Sequence, residues 1–496
     1  MKTADIKVEL KDYSMMYVDC DRGIAQELSE YFSFYVPGYK FMPAYRNKVW
    51  DGKIRLYNSM TNELNAGLFH YLRKFCTERN YTYEIESSDY GAPTDKNVIE
   101  QTAFDDFLKN ANLPFAPRDY QYDAVIRGLI SNRAILLSPT GSGKSFIIYL
   151  IMKYWLDMVN ENDKVLIIVP TTSLVEQMYA DFQDYNMDVE QYCHRIYSGK
   201  DKNTHKRVII STWQSIYKFP KKWFEQFGMV IGDECHGFKS KSLSSIMNKA
   251  TEAKYRFGTT GTLDGTQTHR LVLEGLFGPV HQVTMTKKLQ DEGTLAPLDI
   301  KVLMLTYSDE VRKNFGKKTY QEELDFIIGH SVRNRLISNL AVDAKGNSLV
   351  LFNRVDSHGK PLYELINSKV SEGRKVFFVS GEVATSDREA IRKIVEKQKD
   401  AIIVASLGTF STGINIRNLH NIIFASPSKS QIKVLQSIGR GLRQSDDGRM
   451  TKLFDVSDDI SWEDRKNYTL LHSIERVRIY QKEQFTYKII KVDIDE

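Results

Sequence analysis

From residue 118 onward, short apolar runs alternate with longer amphipathic stretches, and this alternation constrains the fold of the 496-residue chain more than any other feature. A run of four or five apolar residues suits a strand buried on both faces, and an intervening helix returns the chain to the same sheet. The first set of runs covers 134–137, 165–169, 208–211, 229–231 and 256–258; the second covers 349–352, 376–379, 402–405 and 421–424. Between them, in 284–345, strand-like runs pause and Lys/Gln/Glu-rich stretches suit helices and connections. The pattern predicts two α/β lobes in tandem, each on a parallel sheet. The stretch 110–117, with two prolines, reads as a domain edge. Past Ser461, Trp462, Tyr468, Leu471, Ile474 and Val477 recur at helical spacing, and 487–492 follows as a candidate strand. Expected domains are therefore 1–115 (small, α+β), 116–283 and 284–456 (the lobes), and 457–496, a helical extension packed on the second lobe.

Charge becomes informative when it is divided along the chain. Lys and Arg number 68 against 63 Asp and Glu, a net +5. Residues 1–117 carry −3 and the remainder +8, so the mild average conceals a basic body that suits a polyanionic partner. With 42% hydrophobic residues, a disordered chain is excluded. Cys20, Cys76, Cys193 and Cys235 stand far apart without a C-x-x-C pair, which argues against a disulfide framework or zinc site and fits a reducing cytoplasm. No apolar run is long enough to span a bilayer, and the start, Met1-Lys2-Thr3-Ala4-Asp5, lacks a signal-peptide core.

The sequence Ser138-Pro139-Thr140-Gly141-Ser142-Gly143-Lys144-Ser145 follows the first apolar run and precedes a helix-like stretch. This is the context of a phosphate-binding loop: glycines let backbone N–H groups face phosphates, Lys144 reaches the β and γ phosphates, and the Ser145 hydroxyl holds Mg²⁺. The first position of the usual pattern holds Ser138 instead of Gly. Asp233 and Glu234 come 89 residues after Lys144, at the end of an apolar run. There Asp233 suits the Mg²⁺ shell and Glu234 the attacking water. Arg440 and Arg443, three residues apart in Gln436–Arg443, can stabilise a transferring γ-phosphoryl from the second lobe. These three parts, in this order, imply hydrolysis of a nucleoside triphosphate.

With these parts in place the chain resembles superfamily 2 helicases over about 118–456. Further stretches match their motifs: Tyr120-Gln121 (adenine-reading, with Gln121 the contact), 170–177 and 211–215 (strand-contacting), Thr260-Gly261-Thr262, 349–352, 410–415 and 436–443. The resemblance implies two RecA-like lobes. It places Thr140, Gly141, Ser142, Gly143, Gly413 and Asn415 at the nucleotide and Gln436 among the catalytic groups. It also has His236 link the nucleotide site to Thr260 and Thr262, which couple hydrolysis to lobe movement. Cys235 stands where Ala is frequent. Within that superfamily the chain is similar to the phage UvsW family, through 45–56, 223–229 and 318–323. The likeness implies ATP-driven, 3′-to-5′ unwinding and branch migration of forked and four-way DNA, and removal of RNA–DNA hybrids, in recombination, repair and phage replication.

Nucleic-acid contacts are expected in two places. In the lobes, Thr171, Thr172, Thr212, Ser411 and Thr412 suit hydrogen bonds to phosphates along one strand, with Trp213 either stacking on a base or belonging to the core. In the N-terminal region, 39–57 concentrates Lys40, Arg46, Lys48, Lys53 and Arg55 among Tyr39, Phe41, Tyr45, Trp50 and Tyr57. Such a stretch can bind single-stranded or branched DNA, or form a hairpin turning at Asp51-Gly52 with core aromatics and a solvated basic face. The expected set is ATP, Mg²⁺ and DNA or an RNA–DNA hybrid, with no membrane and a monomeric chain. Competing readings are a duplex translocase that leaves strands paired, an RNA helicase, and a nucleotide-regulated annealing protein.

Overall fold

The computed structural model describes residues 4–87, 90, 101–158, 163–197, 201–263, 265–315, 318–383, 385–413, 418–428, 430–442 and 450–494. They divide into two compact units, one of Met1–Ser138 with Gly143–Val283, the other of Pro139–Ser142 with Thr284–Glu496. Among the described residues no helix is long and apolar enough to cross a membrane.

The first unit is built around two main sheets, with a further two-stranded ribbon of Ser33–Tyr35 and Lys53–Arg55. The smaller has strands in the order Tyr57–Asn58, Glu63–Asn65, Met15–Cys20, Ile6–Leu10 and Tyr83–Ile85. Ile6 and Val8 alternate with more exposed neighbours, so one face is buried. Against that face pack Leu28 of helix Arg22–Tyr31 and Leu72 and Phe75 of helix Phe69–Arg79.

The larger sheet has seven parallel strands in the order Cys193–Ile196, Val208–Thr212, Lys164–Val169, Phe227–Asp233, Tyr255–Thr260, Arg133–Leu137 and Val280–Gln282. Its central strands are covered on both faces. Val165, Ile167 and Val169 enter one core and Leu166 and Ile168 the other, which is why the sequence shows a continuous apolar run there and no alternation. Because all seven strands are parallel, 138, 170, 212, 234 and 261 lie along one carboxyl edge, where such sheets place ligands.

The two sheets are fastened together through buried arginines at the amino ends of two neighbouring strands. Arg256 pairs in register with Arg133 and donates to the carbonyls of Ala253 (2.8 Å) and Met247 (2.9 Å), to the carbonyl of Ala250, and to Ser14 Oγ (2.8 Å). Arg133 donates to Tyr13 O at 2.9 Å, and Tyr71 donates to Glu274 at 2.8 Å. Gly67 lies so close to this seam that a Cβ there would meet Glu274 O at 2.1 Å.

The second unit is also a seven-stranded parallel sheet: Val376–Val379, Ile402–Ser406, Ser348–Phe352, Asn421–Phe424, Thr451–Asp459, Leu298–Thr306 and Tyr487–Asp493. Two of its longest strands are not among the expected runs. Leu298–Thr306, inside the stretch where strands were expected to pause, alternates buried and half-buried residues. Thr451–Asp459 buries Asp455, Ser457 and Asp458. Helix Tyr468–Lys482 follows, whereas Trp462 lies before it, bridged to Arg465 in a turn. Buried Glu323 caps that helix, accepting from Tyr468 N (3.0 Å), Thr469 N (2.7 Å) and Asn467 Nδ2 (2.9 Å).

Candidate functional site

Strand Arg133–Leu137 delivers the glycine-rich loop to the carboxyl edge, and helix Lys144–Met158 receives it. Ser138 N donates to Thr260 O at 2.8 Å, tying the loop's start to the neighbouring strand. Ser142 folds it back, donating from N (3.2 Å) and Oγ (2.6 Å) to Pro139 O. Gly141 and Gly143 take φ of +85° and +79°, and a Cβ on Gly143 would fall 2.4 Å from Gln121 Nε2, so glycine is required there. Ser138 is buried and has no positive φ, which explains why a side chain is tolerated at that position. Gln121 Oε1 accepts from Arg118 N at 2.9 Å and caps its own helix, leaving the amide nitrogen beside the loop.

The acidic pair ends strand Phe227–Asp233. Asp233 is buried and accepts from Thr259 Oγ1 at 2.8 Å. Burial, reinforced by the Glu234 charge, pushes its carboxyl above the usual range, against the pull of Lys144 and its hydrogen bonds. Glu234 has φ +49°, a costly conformation for a non-glycine residue and one that clusters at functional sites. Lys144 Nζ lies 3.8 Å from Glu234 Oε1. His236 Nδ1 meets Thr260 Oγ1 at 3.0 Å and Glu234 Oε2 at 3.3 Å. Thr260 Oγ1 is also 3.4 Å from Glu234 Oε2 and 3.0 Å from Thr262 O. Lys144, Glu234, His236 and Thr260 therefore form one polar chain across three adjacent elements. Cys235 is buried against Gly258, where a Cβ would meet its Sγ at 2.9 Å, so the larger residue fits because 258 has no side chain.

Sequence reasoning missed Tyr185, whose hydroxyl lies 2.9 Å from Ser145 Oγ. Burial pushes its phenol up to about 12. Forty residues separate the two, so no local pattern could have paired them.

The strand-contacting candidates of the first unit fall on helix starts. Thr171 caps helix Thr172–Asp184, with Thr172 exposed beside it. Thr212 is buried, its Oγ1 2.9 Å from Ser215 Oγ. Trp213 is half-buried and packs against the core, edge-on to Tyr217.

The basic-aromatic stretch is not a hairpin turning at Asp51-Gly52. Strands Ser33–Tyr35 and Lys53–Arg55 pair antiparallel across the intervening 36–52, which contain the short helices Tyr39–Phe41 and Pro43–Arg46; Pro43 opens the second helix and Gly52, at φ +83°, leads into the returning strand. Trp50 is half-buried, its Nε1 donating to Lys53 O at 2.8 Å, and Arg55 pairs with Asp51. Lys53 sits over the Tyr35 ring, which stacks on Tyr39. Lys40, Phe41, Arg46, Lys48 and Val49 face solvent, with Phe41 78% and Val49 80% exposed.

In the second unit, helix Leu407–Gly413 contains Ser411, Thr412 and Gly413, and helix Gln431–Gly441 contains half-buried Gln436 and the backbone of Arg440. Asn415 and Arg443 lie outside the described residues.

Comparison with known proteins adds three family models: the N-terminal domain of DNA helicase UvsW over 5–86, the Type III restriction enzyme res subunit over 114–265, and the helicase conserved C-terminal domain over 331–445. The ATP-dependent DNA helicase uvsW of Enterobacteria phage T4 is 37% identical over 514 residues, covering 99% of this chain and all of that protein. The DNA 3′-5′ translocase XPB2 of Sulfurisphaera tokodaii is 24% identical, covering 83% of this chain and 91% of that one. The crystal structure of T4 UvsW superposes with a TM-score of 0.52, at 35% identity and 99% coverage of both chains.

Proposed function

The chain belongs to the UvsW family of ATP-dependent DNA helicases, and from that premise we propose how its residues divide the work and on what substrate. The observation that carries the reading is the polar chain from Lys144 through Glu234 and His236 to Thr260. Lys144 holds the β and γ phosphates, and Glu234 orients the attacking water. His236 and Thr260 then register whether the γ-phosphate is present, because Glu234 is their shared partner. Arg440 and Arg443 supply positive charge to the transferring phosphoryl group.

Mg²⁺ fits this site. Among the described residues no cluster of three or more His, Cys, Asp or Glu suits a metal, and a cation that keeps several waters and phosphate oxygens needs only one or two protein ligands. Ser145 and buried Asp233 would hold it, and its charge would offset the unfavourable burial of the Asp233 carboxylate. When bound, Mg²⁺ supplies positive charge at the β and γ phosphates.

Thr171, Thr172 and Thr212 in the first lobe, with Ser411 and Thr412 in the second, hold the backbone of one strand. The exposed Lys40, Phe41, Arg46, Lys48 and Val49 form a second contact at the junction of a branched substrate, joining phosphate-neutralising charge to apolar groups that face unpaired bases. The substrate we assign is branched DNA, forked or four-way, with RNA–DNA hybrids as a related class, acted on by a monomer in the cytoplasm. A panel of single-stranded, duplex, forked, four-way and hybrid substrates tests this, with ATP turnover and strand displacement scored together. Forked and four-way DNA should give the fastest displacement per ATP. Equal turnover on plain duplex without displacement would instead identify a duplex translocase, and a preference for RNA would identify an RNA helicase.

A further inference from the structure

We infer that Arg476, in the C-terminal helix Tyr468–Lys482, is a positioning residue for ATP hydrolysis: it clamps the loop from which the Arg440-bearing helix springs. The inference rests on the proposed role of Arg440.

Arg476 is fully buried. Its Nε and Nη2 grip Asp455 at 2.7–3.0 Å, and Nη2 also donates to Ser457 Oγ at 2.8 Å. Its remaining nitrogen, Nη1, donates to Ser428 O at 2.9 Å. Ser428 lies two residues before Ser430, the cap of helix Gln431–Gly441. The preceding carbonyl, Pro427 O, accepts from Asn353 Nδ2 at 3.1 Å, and Ser426 Oγ accepts from Asn353 N at 3.1 Å. Side chains from two other elements thus take consecutive carbonyls of one short loop. Leu407, at the start of the helix that carries Ser411 and Thr412, lines a small cavity together with Asn353, Ser428 and Arg476.

A neighbouring pair shows that fold stability alone does not require the Ser428 contact. Arg333 grips Asp458, on the same strand as Asp455, through Nε (2.7 Å) and Nη2 (3.0 Å), and is equally buried. Its Nη1 has no partner among the described residues. The two ion pairs share their chemistry, but only Arg476 spends its last donor on the loop before the Arg440 helix. Of the natural side chains, only the planar five-donor guanidinium can hold a carboxylate at two points and reach a separate carbonyl. The consequence for rate follows from geometry: a charge that must meet a transferring phosphoryl loses about 10²-fold when displaced by about 1 Å.

The test uses full-length Arg476→Lys, Arg333→Lys, Asn353→Ala and Arg440→Ala, assayed for ATPase stimulated by single-stranded DNA at temperatures well below each melting point. Arg476→Lys keeps the charge opposite Asp455 and loses the Ser428 bond. It should lower kcat at least about tenfold while KM for ATP stays within about threefold. Arg333→Lys should lower the melting temperature comparably yet keep kcat within about twofold. Asn353→Ala loosens the adjacent carbonyl and should lower kcat in the same direction, which keeps the test open if Arg476→Lys does not fold. Parental kcat in Arg476→Lys or Asn353→Ala, or an equal loss in Arg333→Lys, would overturn the proposal. Full turnover by Arg440→Ala would overturn the role on which it rests, a distinct result because it leaves the loop intact.

Discussion

Replacing Ser14 with Ala tests whether the N-terminal sheet is held to the first lobe as the buried bonds indicate. Ser14 Oγ is buried, donates to Met247 O at 3.0 Å and accepts from Arg256 Nη2 at 2.8 Å. Neither partner is orphaned by the change: Arg256 Nη2 keeps Ala250 O, and Met247 O keeps Arg256 Nη1 at 2.9 Å. The cost is therefore one neutral bond, about 1 kcal/mol, and one bond from a buried cation, about 1.5–3 kcal/mol, without a further penalty for an unpaired group. A loss of about 2–4 kcal/mol in a unit of this size lowers Tm by about 3–7 °C. Scanning calorimetry on the full chain measures it, and hydrogen exchange across 247–256 should accelerate in the same variant. A Tm within about 1 °C of the parent, with unchanged exchange, would show that Arg256 does not depend on Ser14.

Three further outcomes are expected. Burial, with a smaller push from the Arg333 charge, holds His358 down to about 3, so the fold prefers its neutral ring. Stability is then full above about pH 6.5 and declines by about 1.4 kcal/mol per unit as pH falls toward 3, a loss of about 2 kcal/mol at pH 5; His358→Gln should show a shallower decline between pH 7 and 5, and parallel curves would contradict the assignment. Thr260→Ala removes the hydroxyl that His236 and Glu234 share and should lower strand displacement about tenfold while hydrolysis falls less; equal losses would contradict a coupling role. Arg46→Ala with Lys48→Ala should weaken DNA binding uniformly across sequences and reduce the salt slope by about 2; an unchanged slope would show that the exposed stretch does not touch phosphate.

The sequence made the sheets legible where strands are buried on both faces. Val165–Val169 and Ile402–Ala405 have no polar alternation because neither face meets water, and that produces the apolar runs. Leu298–Thr306 and Thr451–Asp459 escaped the same reading for different reasons: in one, Asp299 and Lys301 interrupt the pattern ahead of the short apolar run 302–305, and the other is polar because Asp455 and Asp458 are matched by Arg476 and Arg333 from distant elements. The phosphate loop was visible because its residues are consecutive. The contacts of Glu234 with Lys144, and of Ser145 with Tyr185, were not, since register between elements brings them together. The hairpin alternative for the basic-aromatic stretch failed although Asp51-Gly52 has hairpin composition, because Gly38 and Pro43 redirect the chain into short helices before the return strand.

Nucleotide hydrolysis at Lys144 and Glu234 is proposed to drive strand separation. The most direct measurement follows phosphate release and displacement of a labelled strand in one reaction on forked DNA, comparing the parent with Lys144→Ala. The variant should release no phosphate above background and displace no strand, while binding single-stranded DNA within about threefold of the parent. Strand displacement that persists in Lys144→Ala, or phosphate release at the parental rate, would contradict this.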